Sequence, residues 1–182
     1  HRSGHSFPTR RSSDLKTPMI MTWKNKIKSN TQFDGFISAL DIFKTSLEAS
    51  SVNKEYMINA DGKNIMNYLN DNNIKNENLF WRKDKMATVR SGDYKLIRLN
   101  DTSTVLYNIK KNYFEDFDLK INVPQVHDSL LKLLSSWENT LIDPNWIENK
   151  NWNIVTEMIY EDLMTNRDIR ALSPKDLNNS VK

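Results

Sequence analysis

Hydrophobic and polar positions change rhythm several times along the chain. Met19-Ile20-Met21-Thr22-Trp23, just after Pro18, is apolar without alternation and predicts a strand buried on both faces of a sheet, as parallel strands are. Ser38-Ala39-Leu40-Asp41 fits the Ser-x-x-acid start of a helix, and Leu40, Phe43 and Leu47 recur at helical spacing to about Ala49. Residues 50 to 78 are polar and Asn-rich, with Asp61-Gly62 as a turn and a short apolar patch at Ile65, Met66 and Leu69, and read as a connecting segment. From Leu79 the period becomes two. Met86 to Arg90, Tyr94 to Leu99 and Val105 to Ile109, separated by Ser91-Gly92-Asp93 and Asn100-Asp101, predict an antiparallel meander. A helix should begin near Asn122 with Pro124 in its first turn and Val126, Leu130, Leu133, Leu134, Trp137 and Leu141 on one stripe that covers the sheet. Ile154, Val155, Met158, Ile159 and Leu163 predict one more helix, and Ser173-Pro174 opens a polar tail.

Composition narrows the chemistry. The 182 residues include no Cys and only 4 Gly, which excludes disulfides, thiolate zinc sites, a cysteine nucleophile, a P-loop and a dinucleotide fingerprint. No apolar run approaches the roughly 20 residues of a membrane-spanning helix. Hydrophobic residues are only 38%, so apolar surface completed by something outside the chain is expected. Residues 1 to 15 have no apolar period. Within them Ser6 to Leu15, SFPTRRSSDL, looks like an adapter oligonucleotide translated in frame, a non-native scar to be set apart from the fold. This stretch holds Arg2, Arg10 and Arg11 against Asp14, so most of the net charge of +3 is an end effect. Lys24, Lys26 and Lys28 read as a solvated strand end or loop, and neither a nucleic-acid nor a membrane partner is expected.

Candidate groups are few. His1 and His5 lie in the scar, and His127 stands alone beside the apolar stripe, a surface or partly packed helix residue. Glu115-Asp116-Phe117-Asp118 lacks the glycine and spacing of a calcium loop and reads as a solvated acidic turn. Met57, Met66, Met86, Met158 and Met164 read as gap-fillers or partner-contact candidates rather than ligands. Trp81, Arg82 and Arg90 suit stacking on sugars and holding anions, or, more plainly, Trp81 packs the sheet onto the helix face with Trp137 while Arg90 ends a strand.

Taken in order, Lys16-Thr17-Pro18 with Met19 to Trp23, Ser38 to Thr45 (SALDIFKT), Asp61 to Leu69 (DGKNIMNYL), Leu79-Phe80-Trp81-Arg82, Val89 to Ile97 (VRSGDYKLI), Leu106-Tyr107-Asn108-Ile109 and Trp137 resemble the C-terminal part of a type I sulfatase, over residues 16 to about 146. Departures are Lys16 for the family's Arg, Lys24-Asn25 for Pro-Gly, Lys44 for Pro, Tyr94 for Trp, and Asn112-Tyr113 for Asp-Pro. The resemblance implies an α/β fold. Residues 16–50 would end an alkaline-phosphatase-like sheet domain, 51–78 would connect, 79–146 would form a small antiparallel sheet with a packed helix, and 147–182 would be a helical or polar tail.

Such enzymes hydrolyse sulfate esters on sugars or aromatic alcohols with a formylglycine, made from Cys or Ser in C/S-x-P-x-R, and a divalent cation, usually calcium. Those groups precede the matched region in the family, so the resemblance implies a sulfatase fragment without its catalytic residues or cofactors, derived from a periplasmic or exported enzyme. Ser6-Phe7-Pro8-Thr9-Arg10 satisfies S-x-P-x-R by letter but lies only eight residues before Met19, without the intervening sheet, and is read as coincidence. In sulfatases this subdomain can border the substrate cleft, which makes Trp81, Arg82 and Arg90 candidate contributors to it. A related phosphodiesterase or phosphonate monoester hydrolase fragment, or a non-catalytic glycan-binding module, are the alternatives.

Overall fold

The computed structural model describes residues 17–50, 55, 60–70, 78–112, 114–143, 145–146, 149–165 and 167–179. The chain divides into two compact units, with the boundary between Glu77 and Asn78.

The unit before that boundary contains helix α1 (Ala39–Ala49) and helix α2 (Ile65–Asn70). Ser38 caps α1 as its sequence predicts. The Ser38 hydroxyl accepts from the Leu40 amide at 3.3 Å, and Asp41 Oδ2 accepts from the Ser38 amide at 2.8 Å. The helix then buries a face other than the apolar one: Asp41 and Thr45 are buried while Leu40 and Phe43 are 55% and 59% exposed. Polar pairing explains the choice. Asp41 Oδ1 accepts from the Lys63 amide at 2.8 Å, and Thr45 Oγ1 accepts from the Ile65 amide at 2.8 Å while donating to the Asp41 carbonyl at 2.6 Å. Gly62 makes this approach feasible. Its φ is +86°, and a Cβ there would fall on the Leu40 carbonyl and 2.7 Å from the Asp41 nitrogen. Phe33 stacks on Tyr68 at 5.9 Å between ring centroids, and burial, then the Asp41 charge, raises the Tyr68 hydroxyl above its ordinary pKa.

The strand expected over Met19–Trp23 does not form. Residues 17–23 are irregular, and Ile20 is 91% exposed. A strand buried on both faces needs neighbours to hydrogen-bond, and no strand among the described residues pairs with this run. The three lysines that follow are exposed in a turn and loop.

The second unit is built on the meander: β1 (Leu79–Lys83), β2 (Met86–Ser91), β3 (Tyr94–Arg98) and β4 (Thr104–Asn108), antiparallel and in spatial order 1-2-3-4. The register Phe80↔Val89↔Leu96↔Leu106 places these four residues on one face, and Trp81↔Thr88↔Ile97↔Val105 on the other. Helix α3 (Pro124–Glu138) covers the first face. Ala87, Val89, Leu96 and Leu106 form a core with Leu130 and Leu134, flanked by Phe80, Val126, Leu133 and Trp137. The helix stops before Leu141, which is exposed, so that last residue leaves the predicted stripe.

Helix α4 (Lys150–Met164) serves the opposite face, a role its sequence did not announce. Met164 packs against Ile97, Val105, Tyr107 and Ile109, while Tyr160 and Leu163 meet Met86 and Leu99. The chain reverses after α4 around the fully buried Asp162, whose carboxylate accepts from the Arg170 amide at 2.9 Å and from its Nε at 2.7 Å. Within the tail expected to be helical or polar, Pro174–Asn179 form a 3-10 helix. Asp176 holds its start by accepting from the Leu172 amide and from the Ser173 amide and hydroxyl.

Two outcomes follow for stability. Leu134 is fully buried between α3 and the sheet, so Leu134→Ala should lower the unfolding free energy by about 2–5 kcal/mol in a urea melt. The three bonds onto Asp176 draw its pKa below the ordinary carboxylate value, the Leu172 amide contributing most. The group binds protons less readily when folded, so its contribution is present above the ordinary carboxylate range and is lost as pH falls through the lowered value. Hydrogen exchange at Leu172 and Ser173 should accelerate with acid before the sheet does.

Candidate functional site

The three candidate contributors do not converge. Trp81 pairs with Thr88 and Arg90 with Leu79, which puts Trp81 and Arg90 on the α4 side of the sheet, while Arg82 alternates to the α3 side. There Arg82 Nε donates to the Asp84 carbonyl at 3.0 Å and lies 3.8 Å from Glu138. Arg98, on the same face, forms a two-pronged pair with Glu138 at 2.6 and 2.7 Å that ties the end of α3 to β3. Trp137 therefore meets Phe80, not Trp81: their rings stack at 4.9 Å between centroids. The expectation that Trp81 packs the sheet onto the Trp137 face is corrected by one step of strand alternation.

Trp81 and Arg90 are half-buried and stand diagonal to each other across β1 and β2, within reach for an aromatic and a long side chain. Burial lowers the Arg90 pKa, opposed by the charges of Asp93 and Glu115, so the guanidinium sits in a partly desolvated and acidic surrounding. A desolvated cation beside an indole can hold an anionic group while the ring presents its face to a sugar.

Next in the same cross-strand row is Lys95, paired with Arg90 in register. Lys95 Nζ donates to Glu115 Oε2 at 2.8 Å, with both side chains almost wholly removed from water at 1% and 3% exposure. Glu115 holds a φ of +54° to do so. The acidic run is thus not the solvated turn expected of it. Glu115 is a buried counterion, and Asp118 Oδ1 accepts from the amides of Leu106 and Lys120 at 3.0 Å, closing the outer edge of β4. Only Asp116 and Phe117 in this run remain exposed. The signal available in the sequence was Lys95 at an inward position beside the apolar Leu96 and Ile97, where a carboxylate is the expected partner.

His127 is partly packed, as expected for a lone helix histidine. Its Nε2 lies 2.9 Å from Thr104 Oγ1 and its Nδ1 3.0 Å from Asp128 Oδ1. Met86 and Met164 fill the core between sheet and α4. His1, His5, Met57 and the Ser6 to Arg10 pattern lie outside the described residues. Among the described residues no three His, Asp or Glu side chains gather in a way that could hold a metal ion, and no helix is long and apolar enough to cross a membrane.

No family model and no curated protein matches the chain. Among solved structures it is similar to Ps i-CgsB, with 22% identity and a TM-score of 0.57, covering 79% of this chain and 34% of that one. It is equally similar to Ps i-CgsB in complex with k-i-k-neocarrahexaose, with 22% identity, a TM-score of 0.56 and the same coverage. The chain spans about a third of the length of that protein. The likeness establishes a shared fold alone, α/β with a four-stranded antiparallel sheet and helices.

The buried pair yields a double-mutant outcome. Lys95→Met, which takes the buried ammonium away from Glu115, should cost about 3–5 kcal/mol in a urea melt, whereas Lys95→Met with Glu115→Leu should recover most of that loss.

Proposed function

We propose that this chain is the C-terminal portion of a type I sulfatase acting on sulfated carbohydrate, with the formylglycine and calcium supplied by residues outside it. The observation that carries this reading is the fold shared with Ps i-CgsB, a carrageenan sulfatase, over 79% of this chain. The ordered motifs from Pro18 to Trp137 support it independently, and the neighbour's complex with a carrageenan oligosaccharide supports the substrate class.

Among the described residues the donor set does not fit the family's centre, because no metal-binding cluster occurs there. Their part is positional. Trp81 and Arg90, adjacent on one sheet face, would border the substrate cleft, stacking on a pyranose and pairing with a sulfate group. Arg82 would not join them, because it is committed to Asp84 and Glu138 on the other face.

The uncovered apolar residues of the first unit, Ile20, Leu40, Ile42 and Phe43, agree with a chain whose remaining α/β layers lie elsewhere.

Genomic DNA upstream of the Lys16 codon tests the reading directly. An open frame that continues upstream and encodes C/S-x-P-x-R ahead of further sheet elements is expected, and a native gene that starts at His1 would overturn the proposal. The purified chain should show no turnover of an aryl sulfate in the presence of calcium, and turnover that disappears with Ser6→Ala would also overturn it.

A further inference from the structure

A crevice of about 300 Å³ opens between the β2–β3 turn and the first two turns of α3, lined by Ser91, Tyr94, Gln125, Val126, Ser129 and Leu130. Its position follows from the sheet register. Ser91 and Tyr94 are cross-strand partners at the end of the ladder, on the face that carries Val89 and Leu96 towards α3. Positions 125, 126, 129 and 130 share one side of that helix, being separated by one residue or by about one turn.

The lining divides by chemistry. Leu130 is buried in the core and Val126 packs against that core, so the floor is apolar, and the partly buried Tyr94 ring adds an aromatic wall. Around it stand the Ser91 and Ser129 hydroxyls, the Tyr94 phenol and the Gln125 amide. Among the described residues none of these four side chains has a hydrogen-bond partner. None of the six lining residues carries a charge. The crevice is shallow and open to solvent, with a volume at the lower end of the usual range of about 300–1,000 Å³ for small-molecule sites, so it suits one face of a small ring rather than an enclosed ligand. Without a cation the crevice has no charge to pair with a sulfate, only neutral donors. It suits an uncharged ring that has one C–H face and several hydroxyls.

We infer that this crevice is a binding subsite for one uncharged pyranose unit. The sugar's C–H face would lie on Val126, Leu130 and the Tyr94 ring, and its hydroxyls would exchange bonds with Ser91, Gln125 and Ser129. The subsite requires neither the nucleophile nor a cation, so it stands whether or not the chain comes from a sulfatase.

The test titrates the purified 182-residue chain with neutral glucose-, galactose- and mannose-based tetrasaccharides, and with the free monosaccharides, while amide NMR signals of residues 91, 94, 125, 126 and 129 are followed. Saturable shifts at these amides are expected with at least one neutral sugar. Saturation by monosaccharide as well as tetrasaccharide would assign the site to a free sugar, and saturation by tetrasaccharide alone to a unit within a chain. Gln125→Ala with Ser129→Ala, both at exposed helix positions, should weaken binding about fivefold to tenfold without lowering the melting midpoint. Ser129→Trp, which fills the crevice from its rim, should abolish the shifts. Absence of saturable binding for every neutral sugar, or binding that survives Ser129→Trp in a folded protein, would overturn the inference. Either result leaves the upstream reading-frame test of the sulfatase assignment untouched.

Discussion

The fold of the second unit depends on one constraint: a meander whose strands are apolar on both faces cannot stand with only one face covered. Ala87, Val89, Leu96 and Leu106 point one way, and Met86, Ile97, Leu99, Val105 and Tyr107 the other, and every one of them is buried. Each face therefore recruits a helix, α3 to the first and α4 to the second. The remaining features secure this three-layer arrangement. The Arg98 and Glu138 pair ties α3 to the sheet, Asp118 and the main chain of Leu119 occupy the free edge of β4, and Asp162 fixes the turn that follows α4.

Much of this was legible in the residue pattern, because period two and period 3.6 report burial directly. The turns at Ser91-Gly92-Asp93 and Asn100-Asp101, the proline-led start of α3 and the Ser38 cap all follow from local chemistry, whereas the turn between β1 and β2 carries no glycine to mark it. Adjacent residues were harder to place. Phe80 and Trp81 are both aromatic and point to opposite faces, and only the pairing of Phe80 with Val89 decides which of them meets Trp137. The same alternation separates Arg82 from Trp81 and Arg90. Glu115 was hidden for another reason: its partner Lys95 is 20 positions away, and a run of four acidic and aromatic residues gives no sign of which carboxylate turns inward.

The first unit inverts the usual reading of an amphipathic helix. In α1 the pair Asp41 and Thr45 turns inward because each satisfies a main-chain amide of the 63–65 segment, and Gly62 lets the two backbones meet. Buried main-chain groups must be paired, and here that requirement outweighs concealing Leu40 and Phe43. A helix held by polar contacts on one side and apolar on the other has two possible neighbours, of which the described residues of this unit supply one.

The left-handed backbone at Glu115 bears on how this protein can diverge. Glycine would relax that conformation but remove the anion opposite Lys95, and a neutral residue at 95 would leave a carboxylate without its partner. Either change made first passes through a weakened intermediate. Lineages should consequently keep both positions or exchange both within a short interval, so that 95 and 115 behave in descent as a single heritable character.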